Sequence, residues 1–171
     1  MCEYCGCQAL EAIAALTAEH ERIRDAADSA LRAARDGRMA VARPLVEQLV
    51  ELLRPHTTIE ERGLFPAMAD EFGPAMRTLE GEHRSLDAAF GALLAPRAQL
   101  SGNDQTGWAD HLDRAVRDLF AHILREQDGV FPAALSLLAP HQWEQLDTVR
   151  SEITGAPAAA ARPELSGAAP R

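Results

Sequence analysis

His56-Thr57-Thr58-Ile59-Glu60-Glu61-Arg62-Gly63-Leu64-Phe65-Pro66-Ala67 is written a second time, 66 residues on, as His122-Ile123-Leu124-Arg125-Glu126-Gln127-Asp128-Gly129-Val130-Phe131-Pro132-Ala133. His, Glu, Gly, Phe, Pro and Ala recur in register. A step of four residues is about 40° of helix rotation and one turn of rise, so each His and its Glu leave the same helical face. That face is otherwise apolar. Leu45, Leu49, Leu52 and Ile59 share it in the first copy, and Leu112, Ala115 and Leu119 in the second.

Two more segments carry the same helical period and again one His each. Ile13, Leu16, His20, Ile23 and Ala27 form one stripe; Met76, Leu79, His83, Leu86, Phe90 and Leu93 form the other. Leu16-x-x-Glu19-His20 repeats as Leu79-x-x-Glu82-His83, 63 residues on. Breakers separate the segments at Asp36-Gly37, at Phe72-Gly73-Pro74, over a polar loop from 95 to 107, and at Ala139-Pro140. Strand alternation is nowhere found. The pattern predicts an all-α, antiparallel up-down four-helix bundle made of two helical hairpins related by a pseudo-twofold axis. Pro140 suits the first position of a short fifth helix reaching about Ile153. The predicted organisation is a Cys-rich N-terminal arm (1–8), the bundle with its fifth helix (9–154), and a disordered tail rich in Ala and Pro (155–171).

Composition narrows the chemistry. The chain has 171 residues, 47% hydrophobic and 25% charged, which suits one globular domain. All 17 basic residues are Arg, so Schiff-base and P-loop lysine chemistry are excluded. A net charge of −9 argues against nucleic-acid and anionic-membrane partners. No apolar run approaches the ~18 residues of a spanning helix. The N-terminus has neither a basic region nor an apolar one, and its Cys residues cannot staple a fold, so a reducing cytoplasm is expected.

Four His and two Glu on inward stripes would cost several kcal/mol each if buried without partners. A lone His on an apolar face is ordinarily a hydrogen-bonded core residue. Here four coincide, two with the same Glu offset, and metal ions compensate such a cluster. Imidazole with carboxylate suits iron, manganese or zinc. His20, His56, Glu60, His83, His122 and Glu126 are the candidate ligands. Glu19 and Glu82 are expected beside the site without ligating; Glu61, whose counterpart is Gln127, is read as solvated or as an outer neighbour of the site rather than a ligand; His111 lies too far along its helix, and His141 belongs to the terminal helix.

With these motifs the chain resembles the hemerythrin-like (HHE cation-binding) family over about residues 9 to 138. The resemblance implies a non-haem di-iron centre. One iron would take His20 and His56, the other His83 and His122, and Glu60 and Glu126 would bridge them beside an oxo or hydroxo ligand. Manganese or zinc could substitute. Oxygen-carrying members have a further His four residues after the helix-three ligand; this chain has Asp87, an extra ligand, an outer acceptor or a solvated edge residue. Two His per iron would favour chemistry on peroxide, O2 or nitric oxide over simple carriage. A catalase- or peroxidase-like reaction, fed by an electron donor, is therefore expected. The alternative is a non-enzymatic sensor of O2, NO or redox state, or an iron-binding module.

Two features stand apart. Pro55, mid-helix before His56, marks a widening of the bundle or a tolerated bend. Cys2, Cys5 and Cys7, with Tyr4 between them, can form a redox-active or gating arm. The bland alternative is a mobile segment.

Overall fold

The structure, a computed structural model, describes residues 4–96 and 102–155, with side chains for 9–96 and 105–155. Six α-helices run in chain order: α1 (Tyr4–Arg35), α2 (Met39–Ile59), α3 (Phe65–Leu94), α4 (Gly102–Arg125), α5 (Phe131–Leu137) and α6 (Pro140–Thr154). Two π-helical turns, Glu60–Leu64 and Glu126–Val130, join α2 to α3 and α4 to α5. No strand occurs among the described residues.

These pieces assemble into the four long helices that the stripes require. α1 is the first. It stops at Gly37, whose φ of +70° lets its N–H reach the Ala34 carbonyl while Arg38 N–H reaches that of Ala33. This paired closure satisfies two carbonyls at the helix end and turns the chain through three residues. His20 and His56 lie at similar distances either side of that turn, so α1 and α2 run antiparallel.

The second long helix is α2, the π turn and the start of α3. It continues through Pro55 without a break and ends in effect at Phe72, whose φ of −125° and ψ of 25° depart from helical values. Phe72 precedes Gly73-Pro74, where the sequence predicts a stop. Gly73 to Leu94 makes the third helix. Arg43 closes its end, donating to the carbonyls of Leu93, Leu94 and Ala95.

The fourth helix is α4, the second π turn and α5. It begins at Gly102, inside the segment expected to be loop until 107. Gly107 costs only about 1 kcal/mol within a helix. Next to it, Trp108 is buried and its indole N–H donates to the Leu93 carbonyl at 3.0 Å. Packing at Trp108 outweighs the local turn signal.

The two π turns are absent from the sequence-based expectation. In each, the N–H of the Phe that follows bonds five residues back, Phe65 to Glu60 and Phe131 to Glu126. The next residue, Pro66 or Pro132, has no N–H to return the ladder to ordinary spacing at once. One residue is thereby inserted just after each inward Glu, a common feature of functional sites.

α6 begins, as predicted, with Pro140 at its first position and ends at Gly155, φ +68°. Gln142 accepts from the Ala139 N–H at 2.8 Å and donates to the Ala67 carbonyl at 3.1 Å, tying α6 to α3. Buried Trp143 and Leu146 seat it over the first π turn. Gly63 permits this approach, since a Cβ there would lie 2.5 Å from Leu146 Cδ1.

The interior has two apolar clusters. One contains Ile23, Leu49, Phe90, Trp108 and Leu119; the other contains Leu16, Ile59, Phe65, Phe131 and Trp143. Along each long helix the inward His falls where one cluster gives way to the other. The backbone of Tyr4–Cys7 is the first turn of α1, within the segment read as an arm. Cys2 and residues 156–171 lie outside the described residues, as do the side chains of Tyr4, Cys5 and Cys7.

Candidate metal centre

Between the apolar clusters lies a layer of six buried polar side chains: His20, His56, Glu60, His83, His122 and Glu126. Glu60 and Glu126 are both 0% exposed. These are the six residues predicted as ligands, and the structure brings them together.

They form two overlapping groups. His20, His56, Glu60 and Glu126 can each present one ligand atom with all four atoms within 4.8 Å of one another; so can Glu60, His83, His122 and Glu126. Both carboxylates belong to both groups. The contacts between them are His20 Nε2 to Glu126 at 3.2 Å, His122 Nε2 to Glu126 at 3.0 Å, and His56 Nε2 to Glu60 at 3.4 Å. His83 Nε2 lies 3.5 Å from Glu60 and 3.7 Å from Glu126.

These atoms are close but badly directed for hydrogen bonds. The Nε2 atoms of His20, His83 and His122, and all four carboxylate oxygens of Glu60 and Glu126, are buried without a hydrogen-bond partner. Orphaned polar atoms in a folded interior are rare and costly. Atoms that share the first sphere of a metal have this relation. Ligands about 2.1 Å from a common centre stand about 3.0–3.4 Å apart. The donor set of nitrogen and oxygen around two shared carboxylates fits a cation centre.

Outer carboxylates fix the imidazoles. His56 Nδ1 meets Glu19 at 2.9 Å, His122 Nδ1 meets Glu82 at 2.8 Å, and His83 Nδ1 meets Glu61 at 2.9 Å. With the Nδ1 proton donated outward, each ring keeps its Nε2 lone pair for the centre. Arginines brace two of the three carboxylates: Arg150 of α6 donates to Glu19, and Arg125 donates to Glu82 at 2.9 Å. Ring stacking adds further support. Phe131 stacks on His20 at 5.4 Å and Phe65 on His83 at 5.5 Å. The two Phe therefore belong to the site. Their signal was in the repeated Gly-x-Phe-Pro, whose role spacing alone did not reveal.

Charge follows geometry. Burial raises the Glu60 carboxyl well above its ordinary range, and the neighbouring Glu126 raises it further. Burial would also raise Glu126, but contacts with His122, His20 and His83 outweigh it and hold that carboxyl well below the usual range. Burial lowers the His56 imidazole despite Glu19. In His122 burial is overcome by Glu126 and Glu82, and its affinity for a proton rises. For Glu19 and Glu82 burial is likewise overcome by their His and Arg partners, which keep both carboxyls low. The two carboxyls are thus pushed apart, Glu60 toward its protonated form and Glu126 toward its ionised form.

Asp87, read from the sequence as an extra ligand, an outer acceptor or a solvated edge residue, is exposed and falls in neither group; with His83 it lines a small cavity.

The Hemerythrin HHE cation binding domain family matches residues 11–134. Comparison with curated proteins and with solved structures returns no match. No described helix is long and apolar enough to cross a membrane. The matched span holds all six buried His and Glu of the candidate centre and both π turns, and the chain belongs to the hemerythrin HHE cation-binding family.

Proposed function

We propose that the chain is a non-haem di-iron protein that reacts with a small oxidant or diatomic: peroxide, O2 or nitric oxide. The observation that carries this is the sharing of Glu60 and Glu126 between two four-ligand groups. Shared carboxylates imply two cations held close together, each with two imidazoles. His20 and His56 would hold one, His83 and His122 the other. Nitrogen and carboxylate donors suit iron, with manganese and zinc as substitutes. When bound, such a pair supplies two electrons to one small ligand.

The chain's own residues do the rest. Glu60, pushed toward its protonated form, would release a proton on holding a cation, whereas Glu126, pushed toward its ionised form, would hold one without doing so. Glu19, Glu61 and Glu82 hold three imidazoles in register. The two apolar clusters exclude bulk water above and below the layer. Reactivity of the catalase or peroxidase kind needs an external electron donor only in the peroxidase case. The net charge of −9 supports a partner other than nucleic acid or membrane, and the cytoplasmic setting rests on the N-terminal sequence and cysteine placement alone.

Metal analysis of the full chain should find about two irons per chain, because both groups must fill for the carboxylates to be shared. Oxygen evolution on adding peroxide would then support catalase-like turnover. A stable adduct that is not consumed would support the alternative, a non-enzymatic sensor or iron-binding module. One ion or none per chain would overturn the two-iron assignment.

A further inference from the structure

A cavity of about 40 Å³ lies between α2 and α3 and has His83 among its lining residues. One water needs only ~10–15 Å³ on such a measure, so there is room for a molecule of two heavy atoms. Leu53, Leu86 and Phe90 line it, Thr57 adds a hydroxyl, and the exposed Arg54 and Asp87 stand at its rim.

The repeat identifies the corresponding positions in the other half. Sixty-six residues after Arg54 and Thr57 stand Phe120 and Ile123; 63 before Leu86 and Asp87 stand Ile23 and Arg24. Ile23 and Ile123 are each 1% exposed, and the Arg24 guanidinium lies 4.9 Å from the centre of the Phe120 ring. Where Arg54 and Thr57 leave a polar opening beside His83, the other half therefore has the apolar Phe120 and Ile123, while Leu86 and Ile23 are buried alike. Only Phe90, with Ala27 as its counterpart, runs the other way.

We propose that small ligands reach the centre through this cavity, beside His83, to the position held by His83 and His122. The inference rests on the metal-centre reading above and adds the route and the ligand class. That class is a neutral molecule of two heavy atoms. The walls are mostly apolar, and one Arg and one Asp at the rim leave no net field to select an ion. Thr57 donates to the Arg54 carbonyl at 3.2 Å and keeps lone pairs to accept from a protonated ligand such as hydrogen peroxide.

Xenon tests the route without any metal. In crystals of the metal-free full chain under xenon pressure, an atom should lie against His83 and disappear in Thr57→Ile, which installs the residue found in the closed half. No xenon at His83, or xenon unchanged in the variant, overturns the proposal. A second arm uses the chain loaded with ferrous iron. There Arg54→Phe with Thr57→Ile should slow nitric oxide association about tenfold, within the range that one altered approach path produces. Iron content must be equal in the two proteins. Equal rates overturn the route while leaving the centre intact. A chain that never loads iron overturns the centre instead, and the xenon arm still decides whether the cavity admits a ligand.

Discussion

His20 and His83 occupy corresponding places 63 residues apart, yet their outer nitrogens differ. His83 Nδ1 pairs with Glu61, whereas His20 Nδ1 has no hydrogen-bond partner. The residue corresponding to Glu61 is Gln127, a neutral amide. The halves differ outside the centre as well. α6 covers the first π turn through Trp143 and Leu146 and sends Arg150 to Glu19, while the second π turn leaves Gly129 with nothing near it. The repeat thus delivers like ligands and unlike surroundings. In a centre of this kind the ligands set which ions bind, and the surroundings set how the two positions differ.

The sharpest contrast is between the two shared carboxylates. Glu126→Gln removes an ionised group that faces three His, and breaking such a buried pair costs roughly 3–5 kcal/mol. Glu60→Gln should do the opposite in the metal-free chain. The Glu60 pKa is raised on folding, so its contribution is fully present below the unfolded value and is lost as pH rises through the folded one. Gln imitates the protonated form at every pH. Its advantage should therefore grow as pH rises above the unfolded carboxyl range and vanish below it. Glu126 is shifted the other way, so the cost of Glu126→Gln should shrink as the pH falls toward its folded pKa. Urea denaturation of both metal-free variants, carried from pH 8 down into the acid range below the ordinary carboxyl value, reads the two slopes. Slopes of the same sign would break the assigned division of charge. Both variants should also bind metal less tightly under the proposed assignment, because each removes a carboxylate common to both candidate groups.

Much of this centre was legible in the sequence because a buried polar residue on an apolar stripe is conspicuous. His20, His56, His83 and His122 stood where Leu or Ile belongs, and the His-to-Glu step fixed the direction of Glu60 and Glu126. Glu19 and Glu82 were expected nearby, and Glu61 nearby or solvated, but which His each would meet was not legible. Those pairings, Glu19 with His56 and Glu82 with His122, cross between helices, and crossing geometry is not written in local spacing. The π turns stayed hidden for a related reason. A widened turn keeps the composition of a helix, and only the position of Phe-Pro after the Glu hints at it. The start of α4 was misread because Gly102 and Gly107 signal a loop, and the packing that overrides them depends on Trp108 meeting Leu93 across the bundle.

Exchanging Glu61 and Gln127 tests whether the outer shell makes the two positions unequal. Outer carboxylates on ligating His are worth about 10–100-fold in metal affinity. Glu61→Gln should lower the affinity of the His83 and His122 position by about tenfold, at the lower end because Glu61 is 39% exposed. Gln127→Glu should raise the other position if its carboxylate reaches His20 Nδ1. Competition titrations with a chelator should show two separated steps in the wild type and a narrower gap in Glu61→Gln. An unchanged gap would remove Glu61 from the account.

The smallest effect concerns what α6 adds to one half only. Gly63 and Gly129 hold the same place in the two π turns, so the same substitution at each isolates the cover from the turn. Gly63→Ala drives a methyl against Leu146, and forcing that contact should cost about 1 kcal/mol, the low end for overpacking because Leu146 can turn its end group aside. Gly129→Ala meets nothing within 4 Å and removes backbone freedom from the unfolded chain, so it should stabilise by roughly 0.5 kcal/mol. Thermal melts should move in opposite directions by a few degrees. Arg150 reports the same event at the centre. Displacing α6 loosens its hold on Glu19, so metal affinity at the proposed His20 and His56 position should weaken in Gly63→Ala and stay unchanged in Gly129→Ala. If both variants melt alike, α6 is an appendage to the bundle; if they part, it belongs to one half of the centre.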